Sequence, residues 1–272
     1  MGNTIQTHID ALVEGRDLLP AEAENAFQII MNGGATPAQM AAFLVALRMK
    51  GETAEEICAG ATVLRAKAKP FNAPQGAIDT CGTGGDAKGT LNVSTAVAIV
   101  VAACGVPVVK HGNRSVSSKS GSSDVLTELG VKIDAEIPVM EEALKRGNLC
   151  FLMAPMFHQA MRHVAPVRKE LGMRTVFNLL GPLSNPARPK RQVLGVYDAK
   201  WLVPMAETLG KLGAERAWIV HGSDGMDELT TTGSSQIAEL KIDGSVRRFE
   251  VSPEDFGMQT VSLKALEGRG PD

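Results

Sequence analysis

The sequence predicts an α/β protein, with a small all-helical domain over 1–72 and a larger α/β domain over 73–272 that contains a mixed, mostly parallel sheet. Two observations support this prediction. Helix signals fill the first 69 residues, whereas short β-prone segments alternate with helical ones beyond them. Such alternation is typical of a parallel sheet. Between the two regions lies a linker-like stretch, KPFNAP at 69–74.

Capping signals define the N-terminal helices. A helix over 20–31 ends at an Asn-Gly-Gly tripeptide. The TPAQ box at 36–39 opens a second helix, which Gly51 ends. The TAEE box at 53–56 opens a third, which runs to about Lys67. These helices alone are expected to be too small a core for a stable domain.

Beyond the linker, strands and helices are predicted from local composition. The β-prone segments are 77–80, 106–110, 193–197 and 217–221. The helical segments between them are 95–103, 122–129 and 200–212. An Asp-Gly pair at 243–244 lies between two further β-prone stretches and predicts a hairpin turn.

Composition excludes several classes of protein. Apolar residues make up 44% and charged residues 21%, as in ordinary globular proteins. The net charge of −2 argues against a basic nucleic-acid binder. The four cysteines form no CxxC pair, which argues against a structural zinc site and favours reduced thiols. The N-terminus lacks a signal pattern, and the longest apolar run is too short for a bilayer, so we expect a cytoplasmic protein with no membrane partner.

The first chemical motif is DTCGTGGD at 79–86, which follows a predicted strand. Its glycines allow close approach to a ligand and expose backbone N–H groups, which suits a phosphate or pyrophosphate. A tight strand-to-helix turn is the alternative. A dinucleotide site is disfavoured because residues 86–91 separate the glycines from the helix, and no acidic residue follows about twenty positions on.

The second motif is NVST at 92–95, which precedes a run of apolar residues over 96–103. We expect a helix buried on all sides, capped by Ser94 or Thr95. The N-terminus of such a helix favours anions. Plain capping is the alternative, but the glycine motif just before it favours a phosphate site.

The third motif is KHGNRSVSSKSGSSD at 110–124, at the end of a predicted strand. Its cations, hydroxyls and glycines suit a loop that closes over phosphates, and ligands of open α/β sheets lie at the carboxyl ends of strands. A solvated charged loop is the alternative.

Two further segments carry candidate binding residues. Asp227 and Glu228 follow the last predicted parallel strand and are a candidate Mg²⁺ anchor, although such a pair alone is usually surface decoration. Within 162–186, an arginine is a candidate carboxylate ligand. His158 and His163 are five positions apart, which is poor spacing for a metal pair, and we interpret them as ordinary polar or surface histidines.

Together these segments resemble the anthranilate phosphoribosyltransferase family, within the nucleoside phosphorylase and phosphoribosyltransferase superfamily. The resemblance rests on five elements in the order and spacing of the family: GTGGD at 82–86, NVST at 92–95, KHGNR with SSKSGS at 110–122, VRKELGMRTVFNLLGPLSNP at 167–186 and DGMDEL at 224–229. It extends from the helical N-terminus to about residue 250. Members of the family continue for several tens of residues past the position of Asp272, so the α/β domain is expected to be C-terminally short.

The resemblance implies a fold and an activity. The helical domain would receive mid-chain helices from around 160–185 and would form a homodimer. The enzyme would transfer phosphoribose from 5-phosphoribosyl 1-pyrophosphate (PRPP) to the amino group of anthranilate and release pyrophosphate, in tryptophan biosynthesis. Mg²⁺, with two ions per subunit, would be required. No covalent nucleophile is implied, because the aromatic amine of anthranilate attacks the sugar.

The resemblance also implies the site residues, carried over by position. PRPP would contact Gly82, Gly85, Asp86, Thr90, Asn92, Val93, Ser94, Thr95, Lys110, His111, Gly112, Asn113, Arg114, Ser115, Val116, Ser117, Ser118 and Ser122. Mg²⁺ would contact Ser94, Asp227 and Glu228. Anthranilate would contact Asn113 and Arg168, and Gly181 and Pro182 would line its entry tunnel.

Two alternative functions remain at this point. A pyrimidine nucleoside phosphorylase shares the superfamily fold but lacks the pairing of GTGGD with an Asp-Glu pair. A nucleic-acid-binding paralogue without activity would be strongly basic and would have lost the metal carboxylates. The net charge of −2 and the presence of Asp227 and Glu228 oppose the second alternative.

Overall fold

The computed structural model describes residues 4–84, 91–113 and 121–266. The chain divides into two compact units. One unit combines Met1–Lys69 with Phe157–Ser184, and the other combines Pro70–Met156 with Asn185–Asp272. The first is helical and the second is α/β, so the predicted fold class is confirmed.

The described residues contain the following helices: α1 (Ile5–Val13), α2 (Pro20–Met31), α3 (Pro37–Lys50), α4 (Ala54–Lys67), α5 (Val93–Ala103), α6 (Ser122–Glu128), α7 (Ile137–Gly147), α8 (Ala154–Phe157), α9 (Ala165–Leu171), α10 (Val176–Leu183) and α11 (Leu202–Lys211). Their strands are β1 (Ile78–Gly82), β2 (Val108–Gly112), β3 (Leu149–Met153), β4 (Arg191–Gly195), β5 (Arg216–Gly222), β6 (Ser235–Leu240) and β7 (Val246–Val251). Short 3-10 helices cover Gln159–His163, Ala199–Trp201, Pro253–Phe256 and Leu263–Leu266.

The N-terminal helices begin and end where their caps predict. The Thr36 hydroxyl accepts a hydrogen bond from Gln39 N at 3.3 Å, and the Thr53 hydroxyl accepts one from Glu56 N at 3.2 Å. Gly51 follows α3 with φ of +91°, a conformation that a residue with a side chain rarely adopts. Local sequence therefore determines α2, α3 and α4.

The core of the helical unit combines residues from both of its chain segments. The Phe27 ring packs edge-on against Phe43, with centroids 5.7 Å apart, and against Phe177 on α10, at 6.2 Å. A Cβ added at Gly60 on α4 would lie only 2.9 Å from Leu180 Cδ1. Helices α4 and α10 thus approach closely at a glycine, and α10 completes the core that the N-terminal helices begin.

The α/β unit contains a seven-stranded sheet in the order β3-β2-β1-β4-β5-β6-β7 among the described residues. The first five strands in this order are parallel, and β6 and β7 are antiparallel. The chain builds outward from β1 to β3 and then returns to the other side of β1 with β4. The strand order therefore reverses between β1 and β4, the position where open α/β sheets bind ligands.

The β6–β7 hairpin predicted at Asp243-Gly244 is present. Lys241 N donates to Ser245 O at 2.9 Å, and Gly244 adopts φ of +81°. Strand β4 begins and ends two residues earlier than predicted. Strand β3 was not predicted, because a run of five apolar residues after a helix has no periodicity of its own.

The apolar composition of α5 predicts a helix buried on all sides, and this prediction is wrong. Only Thr95, Ala98 and Ala102 are buried. Val97 and Val100 are 39% and 61% exposed, because the sheet covers only one face of the helix within the described part of the chain. None of the helices in the described ranges is long and apolar enough to cross a membrane.

Candidate active site

Four parallel strands of the sheet end in glycine. These are Gly82 on β1, Gly112 on β2, Gly195 on β4 and Gly222 on β5. In the parallel register Gly82 pairs with Gly195, so the two glycines lie side by side at the point where the strand order reverses. The last residues of β1 and β4 therefore have no side chains at the point of the sheet edge where a ligand is expected.

The loop after β5 crosses these bare strand ends and brings Asp227 to them. A Cβ on Gly195 would lie 1.5 Å from Asp227 O, and a Cβ on Gly82 would lie 2.3 Å from Asp227 Oδ2. Asp227 Oδ2 also accepts a hydrogen bond from Gly84 N at 2.7 Å. The glycine motif after β1 and the predicted metal carboxylate, 143 positions apart, are thus in direct contact.

The N-terminus of α5 lies at the same edge. Thr80 on β1 donates its hydroxyl to Ser94 O at 3.0 Å. Thr95 donates to the hydroxyl of Ser122, the first residue of α6, at 2.8 Å. The N-cap residue is Asn92 rather than Ser94 or Thr95, which lie in the first turn because the helix begins at Val93. The positive end of the helix dipole therefore faces the strand ends, which favours an anion there.

Lys110 is a buried cation in strand β2, where only 2% of it is exposed. Its ammonium group donates to Thr80 O at 2.5 Å and to the Ser94 hydroxyl at 3.1 Å. Burial lowers the pKa of this lysine, while the Asp79 carboxylate opposes that shift. Lys110 and His111 thus belong to the rigid sheet rather than to the closing loop that the motif predicted.

Asp79 is a fully buried carboxylate on β1. Its Oδ2 accepts a hydrogen bond from Asn185 Nδ2 at 2.8 Å, and its Oδ1 accepts one from His111 N at 3.3 Å. Asn185 Nδ2 also donates to Val109 O at 2.8 Å. Burial raises the pKa of Asp79, and attraction to Lys110 opposes this shift. Through these hydrogen bonds Asp79 joins β1 to the end of β2 and to Asn185.

The donor set at this edge suits Mg²⁺. The carboxylates of Asp227 and Glu228 and the hydroxyl of Ser94 provide oxygen atoms, the ligand type that Mg²⁺ prefers. Among the described residues, no group of three or more His, Cys, Asp and Glu side chains converges. In proteins Mg²⁺ is usually held by one or two carboxylates together with substrate phosphates.

Arg168, Gly181 and Pro182 lie in the helical unit. Arg168 is on α9, and its guanidinium lies 5.4 Å from the centroid of the Phe177 ring. Burial lowers the pKa of Arg168, and within the described residues no carboxylate forms an ion pair with it. Gly181 and Pro182 are in α10, where Gly181 is exposed. A half-buried cation without a carboxylate partner is suited to an anionic ligand.

The remaining predicted residues divide into two groups. His111 and Gly112 end β2, and the exposed Asn113 follows them. The others lie outside the described residues: Gly85, Asp86, Thr90, Arg114, Ser115, Val116, Ser117 and Ser118.

Sequence reasoning missed Gly195, Asp79 and Asn185. Gly195 lies inside the β-prone segment predicted at 193–197, so its place at a strand end was not apparent from the sequence. The loop that crosses it comes from 32 positions later in the chain, so only the fold reveals the contact. Asp79 is the first residue of the glycine motif at 79–86, but the motif alone predicts no role for it.

Two family models match the chain. A glycosyl transferase family helical bundle domain matches residues 6–68, and a glycosyl transferase family a/b domain matches residues 74–272. Fold and site thus define a glycosyltransferase with a helical domain and an α/β domain.

Similar individual proteins show which family of glycosyltransferases the chain belongs to. An anthranilate phosphoribosyltransferase from Paramagnetospirillum magneticum is 58% identical over 93% of this chain and 73% of its own length. The crystal structure of anthranilate phosphoribosyltransferase (TrpD) from Thermus thermophilus matches with a TM-score of 0.89 and 44% identity, over 97% of this chain and 78% of that one. This chain belongs to the anthranilate phosphoribosyltransferase family.

Ligands are present in structures of the Saccharomyces cerevisiae enzyme. The complex with PRPP and Mg matches with a TM-score of 0.87 and 29% identity, over 100% of this chain and 78% of that one. The complex with 4-fluoroanthranilate matches with a TM-score of 0.87 and 27% identity, over 98% and 77%.

Proposed function

We propose that this chain transfers the phosphoribosyl group of PRPP to the amino group of anthranilate, releasing pyrophosphate, in tryptophan biosynthesis. The observation that carries the proposal is the meeting of four features at one sheet edge. These are the glycine motif, the N-terminus of α5, the buried Lys110 and the loop with Asp227. The yeast relative whose structure holds PRPP and Mg supports the same substrate.

The reaction needs positioning and charge stabilisation rather than a nucleophilic side chain. The bond from the ribose to pyrophosphate breaks as positive charge develops on the sugar, and the amine of anthranilate attacks the same carbon. As the family resemblance implies, the glycine motif and the N-terminus of α5 would bind the pyrophosphate end. Lys110 adds a fixed positive charge beside Ser94. Holding the two substrates in line supplies much of the rate enhancement.

Asp227 and Glu228, with Ser94, are the residues that would hold Mg²⁺. When bound, the ion supplies positive charge that stabilises the departing pyrophosphate. The chain itself fixes the carboxylates: Gly84 N donates to Asp227, and the bare ends of β1 and β4 leave room for the loop. We propose two ions per subunit, as the family resemblance implies.

We propose that Arg168 binds the carboxylate of anthranilate, with Asn113 as a second contact and Gly181 and Pro182 along the entry path. The guanidinium is held over Phe177 and, in the described part of the chain, pairs with no carboxylate of its own. The yeast complex with 4-fluoroanthranilate supports an aromatic acid as acceptor.

The decay of anthranilate fluorescence on addition of PRPP tests the activity. We expect a decay that requires Mg²⁺, that is much weaker for Asp227→Asn and that is unchanged for Asp243→Asn, an exposed turn aspartate. No decay from the folded protein, together with phosphorolysis of thymidine, would instead indicate a pyrimidine nucleoside phosphorylase. Salt-sensitive gel-shift binding without either activity would indicate the nucleic-acid-binding paralogue.

We further propose a cytoplasmic homodimer formed through the helical unit. All four cysteines lie among the described residues and form no disulfide there, as a reducing compartment favours. The helical unit exposes large apolar side chains at Val13, Leu19 and Met49, the last of them 82% exposed. Sedimentation should give a dimer that Met49→Lys weakens, and a wild-type monomer would contradict the proposal.

A further inference from the structure

In the loop between β5 and β6, the carboxylate of Asp224 joins the first residues of the loop to its later residues. Asp224 Oδ2 accepts hydrogen bonds from the hydroxyls of Thr230 and Thr232, both at 2.6 Å. Asp224 Oδ1 accepts a third from Met226 N at 3.0 Å. Asp227 and Glu228 lie between Asp224 and Thr230 in the sequence, within the segment that these hydrogen bonds close.

Backbone and hydroxyl contacts reinforce the closure. Gly222 N donates to Met226 O, and Ser223 N donates to Ser234 O, both at 2.9 Å. Thr230 N donates to Ser235 Oγ at 2.9 Å. Both oxygens of Asp224 thus bond to the loop itself, unlike Asp227, whose Oδ2 reaches the glycine motif.

We propose that Asp224 is a positioning residue that fixes the loop so that Asp227 and Glu228 are preorganised for Mg²⁺. This inference rests on the proposed function. Hydroxyl bonds to a carboxylate are among the stronger hydrogen bonds, and hydroxyls on two later residues reach the same oxygen. Without them the loop gains conformations that lack the contact between Asp227 and Gly84, and metal binding must then also order the loop.

The electrostatics of Asp224 agree with a structural role. Partial burial opposes its ionisation, but the hydrogen bonds from Thr230 and Thr232 outweigh this effect, so the pKa of Asp224 lies below its usual value. The carboxylate is therefore ionised, and the closure intact, throughout the neutral range.

The test measures metal binding without turnover. Mn²⁺ binding is followed by electron paramagnetic resonance with PRPP present and anthranilate absent. Because residues that orient metal ligands typically change metal affinity by about 10- to 100-fold, we expect Asp224→Ala to raise the Mn²⁺ dissociation constant about tenfold. The Mg²⁺ concentration for half-maximal activity should rise in parallel, and kcat should recover at saturating Mg²⁺.

Asp243→Ala is the matched control. Asp243 accepts hydrogen bonds from the backbone N and hydroxyl of Ser245 in the β6–β7 turn, at 3.0 and 2.6 Å, but is exposed and distant in sequence from the metal carboxylates. Its removal should leave the Mn²⁺ dissociation constant unchanged. Thr232→Val removes one of the hydroxyls bonded to Asp224 with little change of shape. If Asp224→Ala does not fold, the Mn²⁺ dissociation constant is measured in Thr232→Val instead.

Three results would overturn the inference. They are an unchanged Mn²⁺ affinity in folded Asp224→Ala, an equal effect of Asp243→Ala, or an unchanged affinity in Thr232→Val when the alanine variant is unfolded. Failure of the proposed function gives a different result: the wild-type protein itself would bind no Mn²⁺ with PRPP and would consume no anthranilate.

Discussion

At the scale of single residues, the absence of a side chain is as informative as its presence. Gly82 and Gly195 lie side by side on neighbouring strands, and each would collide with Asp227 if it carried a Cβ. At Gly195 the collision is with the backbone of Asp227, which cannot rotate away as a side chain can. The position of Asp227 therefore depends on a neighbouring residue that has no side chain.

We expect Gly195→Ala to displace Asp227 and to lower turnover at limiting Mg²⁺ by about 10- to 100-fold. Overpacking should also cost about 1–3 kcal/mol of folding free energy. Gly147→Ala on α7 is the control, since no atom lies within 4 Å of a Cβ there. Steady-state rates across a Mg²⁺ series measure the effect, and wild-type Mg²⁺ dependence in Gly195→Ala would contradict it.

Arg168→Ala should raise the KM for anthranilate by about 10- to 100-fold, because a hydrogen bond to a charged group contributes about 1.5–3 kcal/mol. The KM for PRPP should change little. The exposed Lys169, next along α9, supplies the control variant Lys169→Ala. Equal changes in both KM values would show that Arg168 acts on the fold rather than on the acceptor.

At the scale of elements, the start of α4 combines a cap with a buried ion pair. Glu56 is fully buried and accepts hydrogen bonds from Leu18 N at 3.0 Å and Thr53 N at 2.9 Å. Lys50, at the end of α3, donates to the same carboxylate at 3.0 Å. One side chain thus joins the end of α3, the start of α4 and the segment before α2.

Glu56→Ala should lower the free energy of unfolding by about 3–5 kcal/mol, because it leaves a buried cation with one partner fewer. Thr53→Ala, which removes only the cap, should cost about 1 kcal/mol. Glu142→Ala, which removes an exposed ion pair with Arg146, should cost less than about 1 kcal/mol. Urea unfolding of the three variants tests this ranking, and equal losses would refute it.

The elements that sequence alone could predict are those with local signals. Threonine caps start α3 and α4, a proline in the first turn and the Asn-Gly-Gly stretch bound α2, and an Asp-Gly turn determines the β6–β7 hairpin. Strand β3 and the exposed face of α5 could not be predicted, because both depend on which neighbour covers an apolar segment. The carboxylates and the glycine motif were recognisable as separate motifs. The direct contact between Asp227 and the glycine motif, beside Gly195, follows only from the topology of the sheet.

At the scale of the whole molecule, stability should depend on pH through a buried histidine. Burial lowers the pKa of His158 from 6.5 to about 4. Between these values the unfolded chain binds a proton that the folded chain does not, so stability is full above about pH 6.5 and falls as the pH decreases towards 4. The loss reaches at most about 3 kcal/mol.

Denaturant unfolding between about pH 4 and pH 7 measures this loss in the wild type and in His158→Gln. The free energy of unfolding of the variant should fall less steeply as the pH decreases, because the variant lacks the one proton that His158 takes up on unfolding. The carboxylates add the same pH dependence to both proteins below about pH 5. Identical pH profiles for the two proteins would show that His158 does not bind its proton differently in the two states.

The helical unit is assembled from two separated stretches of chain, and this affects its biosynthesis. When Lys69 has been translated, Phe177 and Leu180 still lie about 100 residues ahead, roughly 5 to 20 s away at ordinary elongation rates. Helices α1–α4 must therefore leave the ribosome with part of their apolar surface uncovered. The helical unit begins first but is completed only after β1, β2 and β3 have been synthesised. During that interval the nascent chain displays the kind of surface to which chaperones bind.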